Sequence, residues 1–393
     1  MRPFLNRRLL PAAAALGLGL LLAACTSIPL PPLETPPPVA PAAAAEPPPP
    51  AAPSLERPRA RWVAARFEDL PGWEADRLQA WWPAFLAGCV RPPAPWQAAC
   101  AQARQLAATG LAGDEPALRR WLQGELRVWR VEGLEGQTEG LMTGYHEPLM
   151  AASRRASTQR KVPLHGVPAD LASRRPWWTR QQIDTLPAAQ AALKGREIAW
   201  LEDPLDALVL HIQGSGRLRV TEPDGSQRWV RLAFAGHNDQ PYRSVGRWLI
   251  EQGELTLAEA SWPGIKAWAR RNPKRLQEML WQNPRYVFFR EEPLTDPTVG
   301  PRGAQGVPLT PGRSIAVDPL SIPYGTPVWL DTTEPLSPQP LRRLVQAQDT
   351  GSAITGAVRA DYFWGWGEDA ESQAGRTRQP LRAWVLWPRD QTP

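Results

Sequence analysis

The apolar positions of the chain change period several times along its length. A turn at Leu70-Pro71-Gly72 precedes Leu78, Trp82, Phe85 and Leu86 at helical spacing, with Pro83 placed to kink or shorten that helix. Further helices are predicted around Trp96–Ala108 and Glu115–Val131, and LMTGYHEP (Leu141–Pro148) reads as a strand running into a turn. Between about Leu149 and His237 short strands and turns take over. Ala207–Ile212 reads there as a buried strand broken at Gly214-Ser215-Gly216, and Pro223–Gln227 as a hairpin turn. Helical spacing returns in PYRSVGRWLIEQG, in WPGIKAWARR with Ser261 as its N-cap, and in PKRLQEMLWQN. From Tyr286 onward the chain is strand and turn again (YVFFRE, SIAVDP, TPVWL, LRRLVQAQD, LRAWVLWP), and no internal repeat is present. The pattern alone predicts an α+β protein with a β-rich insert.

The N-terminal pattern is of another kind. Residues 1–25 place three arginines before an apolar run that ends in small residues and Cys25, the layout of a signal peptide rather than of a spanning helix. Leu22-Ala23-Ala24-Cys25 resembles the bacterial lipobox, in which the cysteine is lipidated; an ordinary signal peptide containing a cysteine is the alternative. Thr26-Ser27 lack the aspartate associated with inner-membrane retention, which by analogy directs the anchor to the periplasmic face of the outer membrane. Residues 26–58 are mostly proline and alanine and bury too little to repay ordering. In polyproline II form such a linker reaches roughly 90 Å, and the folded part is expected from Arg59.

Composition narrows the function classes. The net charge of +6 is carried almost wholly by arginine, with Lys161, Lys194, Lys266 and Lys274 the only lysines. No run of five basic residues occurs, which argues against nucleic acid, while a modestly basic surface suits an acidic polymer or an anionic membrane face. In an oxidising compartment Cys89 and Cys100 are close enough in sequence to pair, two buried free thiols being the alternative. The four histidines, His146, His165, His211 and His237, lack metal-ligand spacing, so no metal is expected; no nucleotide fingerprint occurs, and Gln213-Gly214-Ser215-Gly216 is not a nucleophile elbow.

Two aspartates remain, in VQAQDTGSAITGAVRADYFWGWG. Asp349-Thr350-Gly351 has the form of an aspartic-protease triplet, but that chemistry shares a proton between two carboxylates, and no second such triplet exists. A protease would need a homodimer. Glycosidic cleavage asks less: if the sugar's own hydroxyl attacks, one carboxyl serves as acid and then as base.

This segment, with RSIAVDPLSIPYGTPVWL before it, is similar to the 3D region named for three aspartates, here Asp318, Asp349 and Asp361. FEDLPGW, LMTGYHEP, LVLHIQGSGRL, AGHNDQPYRSVGRWLIEQGE and LWQNPRYVFFRE extend the likeness, in order, from about Arg59 to Pro388. Together they resemble the membrane-bound lytic murein transglycosylase A family. The resemblance implies a double-psi β-barrel with flanking helices and an inserted smaller β-barrel domain. It would be divided as 59–148 and 238–390 for the main domain and 149–237 for the insert, with glycan strands of peptidoglycan in the groove. It further implies non-hydrolytic cleavage between N-acetylmuramic acid and N-acetylglucosamine, leaving 1,6-anhydro ends, with Asp361 as acid/base and no cofactor. Substrate contacts would fall on Thr143, Tyr145, Gln213, Ser215, Asp349, Asp318, Tyr242 and Arg243. A non-catalytic peptidoglycan-binding lipoprotein is a further alternative, and partners among cell-wall synthesis or division proteins are left open.

Overall fold

The computed structural model describes residues 52–110 and 113–393. The signal peptide, Cys25 and residues 26–51 of the linker lie outside the described residues. Order begins at Ser54 rather than Arg59: β1 (Ser54–Arg57) pairs antiparallel with β2 (Ala60–Ala65), Leu55 opposite Trp62. Between Pro53 and Pro58, the Ser-Leu-Glu-Arg segment has the free N–H groups that a strand needs.

Three helices follow, Leu78–Gly88, Gln97–Ala108 and Glu115–Glu125. Cys89, at the end of the first, is disulfide-bonded to Cys100 in the second. The third stops at Glu125 instead of Val131. From Leu126 the chain becomes β3 (Leu126–Glu132), with Leu126, Val128 and Val131 buried, lying between β2 and the last strand. Next comes β4 (Gly140–Glu147), which carries the chain to a second sheet.

That sheet holds β5 (Leu149–Ser153), β6 (Val162–His165), β7 (Glu197–Leu201), β8 (Gly216–Thr221) and β9 (Gln227–His237). The segment Ala207–Ile212, expected as a strand, lies instead in a helix, Pro204–Gln213, capped by the Asp203 carboxylate. Its sequence is apolar on nearly every side because it is covered twice. Ala207 and Leu210 pack on the second sheet, while Leu205 and Leu208 pack on the helices Val245–Glu251, Trp262–Arg271 and Leu276–Trp281. After those helices β10 (Val287–Pro293) returns to pair with β9. The insert therefore extends to Pro293, past the boundary expected at His237; the loss of strand pattern there marks a helical excursion, not the end of the sheet.

The chain closes with β11 (Ser314–Val317), β12 (Pro327–Thr333), β13 (Pro340–Asp349), β14 (Arg359–Trp366), the helix Glu368–Arg376 and β15 (Arg378–Pro388). Strands β15-β12-β13-β11-β14-β4 are joined in that order, and β4 pairs back onto β15, so six strands form a ring. Two pairings are parallel, β11 with β13 and β14 with β4, consistent with a double-psi β-barrel. Tryptophan dominates the core shared by this ring and its flanking elements: Trp62, Trp81, Trp96 and Trp329 are buried, and Trp62 meets Trp387 edge-on at 5.5 Å. No helix among the described residues is long and apolar enough to cross a membrane.

One carboxylate joins the two sheets. Glu147, at the end of β4, is 0 % exposed and accepts from Arg217 Nε of β8 and Arg231 Nε of β9, each at 2.6 Å. Both arginines also donate to the Val299 carbonyl, on the segment that leads back from β10 to the barrel. Thus Glu147 secures the way into the insert and the way out. Removing its charge strands two buried guanidinia, a change that typically costs about 3–5 kcal/mol. Glu147→Gln should therefore lower the unfolding free energy by that order in denaturant titration and expose 294–300 to limited proteolysis; unchanged values would contradict this role.

Candidate active site

Strand register brings the two aspartates of the 3D segment into one row. Ala316 of β11 lies opposite Asp349 of β13 on one side and Asp361 of β14 on the other, and Asp361 lies beside Thr143 of β4. Two strand spacings separate the aspartate backbones, about 10 Å.

Their surroundings differ. Asp361 Oδ1 accepts the Thr143 hydroxyl at 2.6 Å, and Thr143 Oγ1 in turn accepts from Arg359 Nη2 at 2.9 Å, so the hydroxyl proton is directed at the carboxylate. No donor among the described residues meets Asp361 Oδ2. Burial raises the Asp361 pKa above the ordinary carboxylate range, against the lowering effects of Thr143 and Arg359. Asp349, in contrast, is occupied on both oxygens: Oδ1 accepts from the Ala304 N–H and Oδ2 from the Tyr145 hydroxyl, both at 2.9 Å. Burial pushes its pKa up to about 6, opposed by the Thr350, Tyr145 and Ala304 hydrogen bonds and assisted by the charge of Asp361. Burial likewise raises the Tyr145 phenol well above its usual value, so it remains a donor.

A cavity of about 900 Å³ opens beside this row, walled by barrel and insert. Of the residues expected to contact substrate, Tyr145, Asp349, Gln213, Ser215 and Tyr242 line it. Gln213 Oε1 accepts the His146 N–H at 3.3 Å, which ties the helix Pro204–Gln213 to the end of β4 and turns the amide N–H groups elsewhere. Thr143 and Asp361 stand beside the lining rather than in it, next to Tyr145 and Phe363, whose rings are 5.2 Å apart. Arg243 belongs instead to an adjoining groove of about 500 Å³ that shares Tyr242 with the cleft. Asp318 is not brought to the cleft. It is buried and accepts from Gly356 N (2.9 Å), Leu320 N (3.0 Å) and Arg59 Nη1 (3.1 Å), which pins the loop between β13 and β14.

Sequence reasoning missed several members of the site. Arg359 was discoverable, since it sits two residues before Asp361 and so on the same face of β14. The Ala304 N–H was not, because a backbone donor leaves no trace in residue type. Phe234, half-exposed in the cleft wall, had no motif around it. Among the described residues no group of three or more His, Cys, Asp or Glu side chains is arranged to hold a metal.

Comparison with known proteins decides the family. The MltA specific insert domain matches residues 141–290, and the 3D domain matches 313–387. Membrane-bound lytic murein transglycosylase A of Vibrio cholerae is 30% identical over 269 residues, 66% of this chain and 69% of that protein. The chain belongs to the membrane-bound lytic murein transglycosylase A family. It is accordingly a lytic murein transglycosylase, an enzyme of peptidoglycan cleavage. The crystal structure of MltA from Neisseria gonorrhoeae superimposes with a TM-score of 0.72 at 33% identity, covering 88% of this chain and 97% of that one. The lytic transglycosylase LtgG of Burkholderia pseudomallei is 43% identical, with a TM-score of 0.57 over 86% of this chain and 98% of that one. The family insert match runs to 290, in keeping with an insert that includes β10.

The raised pKa of Asp349 has a consequence for stability. As pH rises through about 4 the unfolded chain loses this proton first, while the native state keeps it until about pH 6. Folding is therefore penalised increasingly across that window, and the penalty is constant above it. In Asp349→Asn the penalty is absent. The melting temperature of the variant relative to the parent should rise between pH 4 and 6 and level off above, by on the order of 1–3 kcal/mol in stability; a difference independent of pH would contradict the assignment.

Proposed function

We propose that the enzyme cuts the β-1,4 bond between N-acetylmuramic acid and N-acetylglucosamine without water, with Asp361 as its single acid/base. The observation that carries this reading is the contrast between the carboxylates. A general acid must hold a proton on an oxygen free to face the leaving group. Asp361 has such an oxygen in Oδ2, whereas both oxygens of Asp349 already receive protein donors. Protonated Asp361 gives its proton to the glycosidic oxygen as the bond to C1 breaks, through an oxocarbenium-like state. The resulting carboxylate, steadied by Thr143, takes the proton of the muramyl C6 hydroxyl as that oxygen bonds to C1. A 1,6-anhydro end results, and the enzyme regains its starting protonation. Because Asp361 lies beside the cavity lining, the strand must settle past Tyr145 toward Thr143 for the reaction. Tyr145, Gln213, Ser215 and Tyr242 offer hydroxyl and amide groups to the acetamido and hydroxyl groups of the glycan.

Hydrolysis is the competing reading, because Asp349 supplies a second carboxylate at the cleft with a raised pKa. It requires Asp349 as base and predicts reducing ends. A homodimeric protease is disfavoured, since both oxygens of Asp349 are engaged within one chain. For location, the membrane-bound relatives favour a membrane-associated periplasmic enzyme. We place its anchor on lipidated Cys25 at the outer membrane, with the proline-rich segment before Ser54 giving reach.

Asp361→Asn should lower anhydro-muropeptide release from sacculi by about 10²–10⁴-fold while sacculus binding persists, and activity of the parent should fall as pH rises past the raised Asp361 pKa. Cleavage by Asp361→Asn at the parental rate would defeat the assignment. Cys25→Ala should move the protein from the membrane to the soluble fraction; retention in the membrane would remove the anchor.

A further inference from the structure

The charge around the cleft is one-sided. Four arginines line it, Arg91, Arg285, Arg290 and Arg302, against one carboxylate, Asp349. Arg290 is paired with Glu292 at 2.8 Å, and half-buried Arg285 donates to the Gln240 carbonyl at 3.0 Å. Arg91 and Arg302 have no carboxylate within ion-pair distance among the described residues, and both reach the same backbone turn. They converge on Gly306. Arg302 Nη1 donates to the Gly306 carbonyl at 3.2 Å, and Arg91 Nη1 lies 2.8 Å from where a Cβ on Gly306 would stand. With φ at +82° and no side chain, Gly306 lets the Arg91 guanidinium lie directly on the backbone. The same segment supplies the Ala304 N–H that holds Asp349.

Two guanidinium groups gathered without a counter-ion repel each other, a cost that an arriving anion removes, and the guanidinium fork matches a carboxylate. The sugar rings of a murein strand are neutral; on a stem-bearing muramic acid the lactyl carboxyl is taken up in the amide bond to the stem, so the free carboxylates are the stem's, and a lactyl carboxylate is free only where the stem is missing. Arg91 and Arg302 are exposed and line the cleft, open to a group that projects from a strand lying in it. We propose that Arg91 and Arg302 form a carboxylate clamp for a peptide stem, so that the enzyme prefers strands whose stems are anionic. This inference rests on the murein-cleaving reading above.

The test compares three substrates: glycan strands bearing tetrapeptide stems, the same strands with stem carboxyls amidated, and peptide-free strands that retain lactyl carboxylates. For the parent, kcat/KM should be about tenfold higher on free-carboxyl stems than on amidated ones. In Arg91→Gln/Arg302→Gln that ratio should approach one, and Arg91→Lys/Arg302→Lys should keep part of it. Superimposable thermal unfolding of the variants checks that the fold is intact. No preference in the parent, or an equal preference in the parent and the double Gln variant, overturns the clamp. A clamp-dependent preference for peptide-free strands equal to that for stem-bearing ones would assign it to the lactyl group and overturn the stem. If the parent cuts none of the three, the cleavage reading falls. The clamp is then judged by the same ratio in dissociation constants for the same strands.

Discussion

A carboxylate with no access to water holds this enzyme's two halves in register. Glu147 ends β4, and its two oxygens each take an arginine from the insert. Those arginines close on the carbonyl of Val299, where the chain leaves the insert again. An ion group buried this deeply is weak as a source of net stability but strong as a source of geometry, because any arrangement that separates its members leaves a charge unpaired. Four residues earlier on the same strand stands Thr143, the hydroxyl that orients Asp361. A single strand thus fixes both the cleft wall and the Asp361 carboxylate, and a shift of β4 would disturb both together. Trp366, the last residue of β14, stacks under Arg217 at 3.7 Å, so the strand that carries Asp361 is clamped at the same point.

Around that frame the site separates two aspartates by hydrogen bonding more than by position. They occupy one row of the barrel and both are shifted upward by burial. What differs is the direction from which protons reach them. Asp349 is filled by Tyr145 and Ala304 and acts as a fixed acceptor that organises the cleft wall. Asp361 has one oxygen oriented by Thr143 and one left over, the arrangement that proton transfer in both directions needs. The third aspartate, Asp318, ties down the loop that connects the strands bearing the other two.

Much of this was legible in residue order, and the failures have physical causes. The clustered motifs identified the family and singled out Asp361, Tyr145 and Gln213, which the fold brings to or beside the cleft, and the strand-like segments from SIAVDP onward are the final barrel strands. The stretch Ala207–Ile212 misled because a helix covered on two sides is apolar throughout and loses the periodicity that distinguishes it from a strand. The insert boundary misled because β10 pairs with β9 across three intervening helices, a non-local pairing with no sequence signal of its own. Asp318 carries the same letter as the other two aspartates, and only its contacts with Gly356, Leu320 and Arg59 separate its role from theirs. Arg217 and Arg231 lie 70 and 84 positions along the chain from Glu147, and only the fold shows them meeting.

The most direct test of the account is the chemical form of the product. The full chain would be incubated with purified sacculi, and the released muropeptides identified by mass spectrometry without a reducing step. The account predicts muramyl ends in the 1,6-anhydro form, one water lighter than a hydrolysis product. Reducing muramyl ends would contradict it, because water would then be the nucleophile and a second carboxylate would have to act as its base.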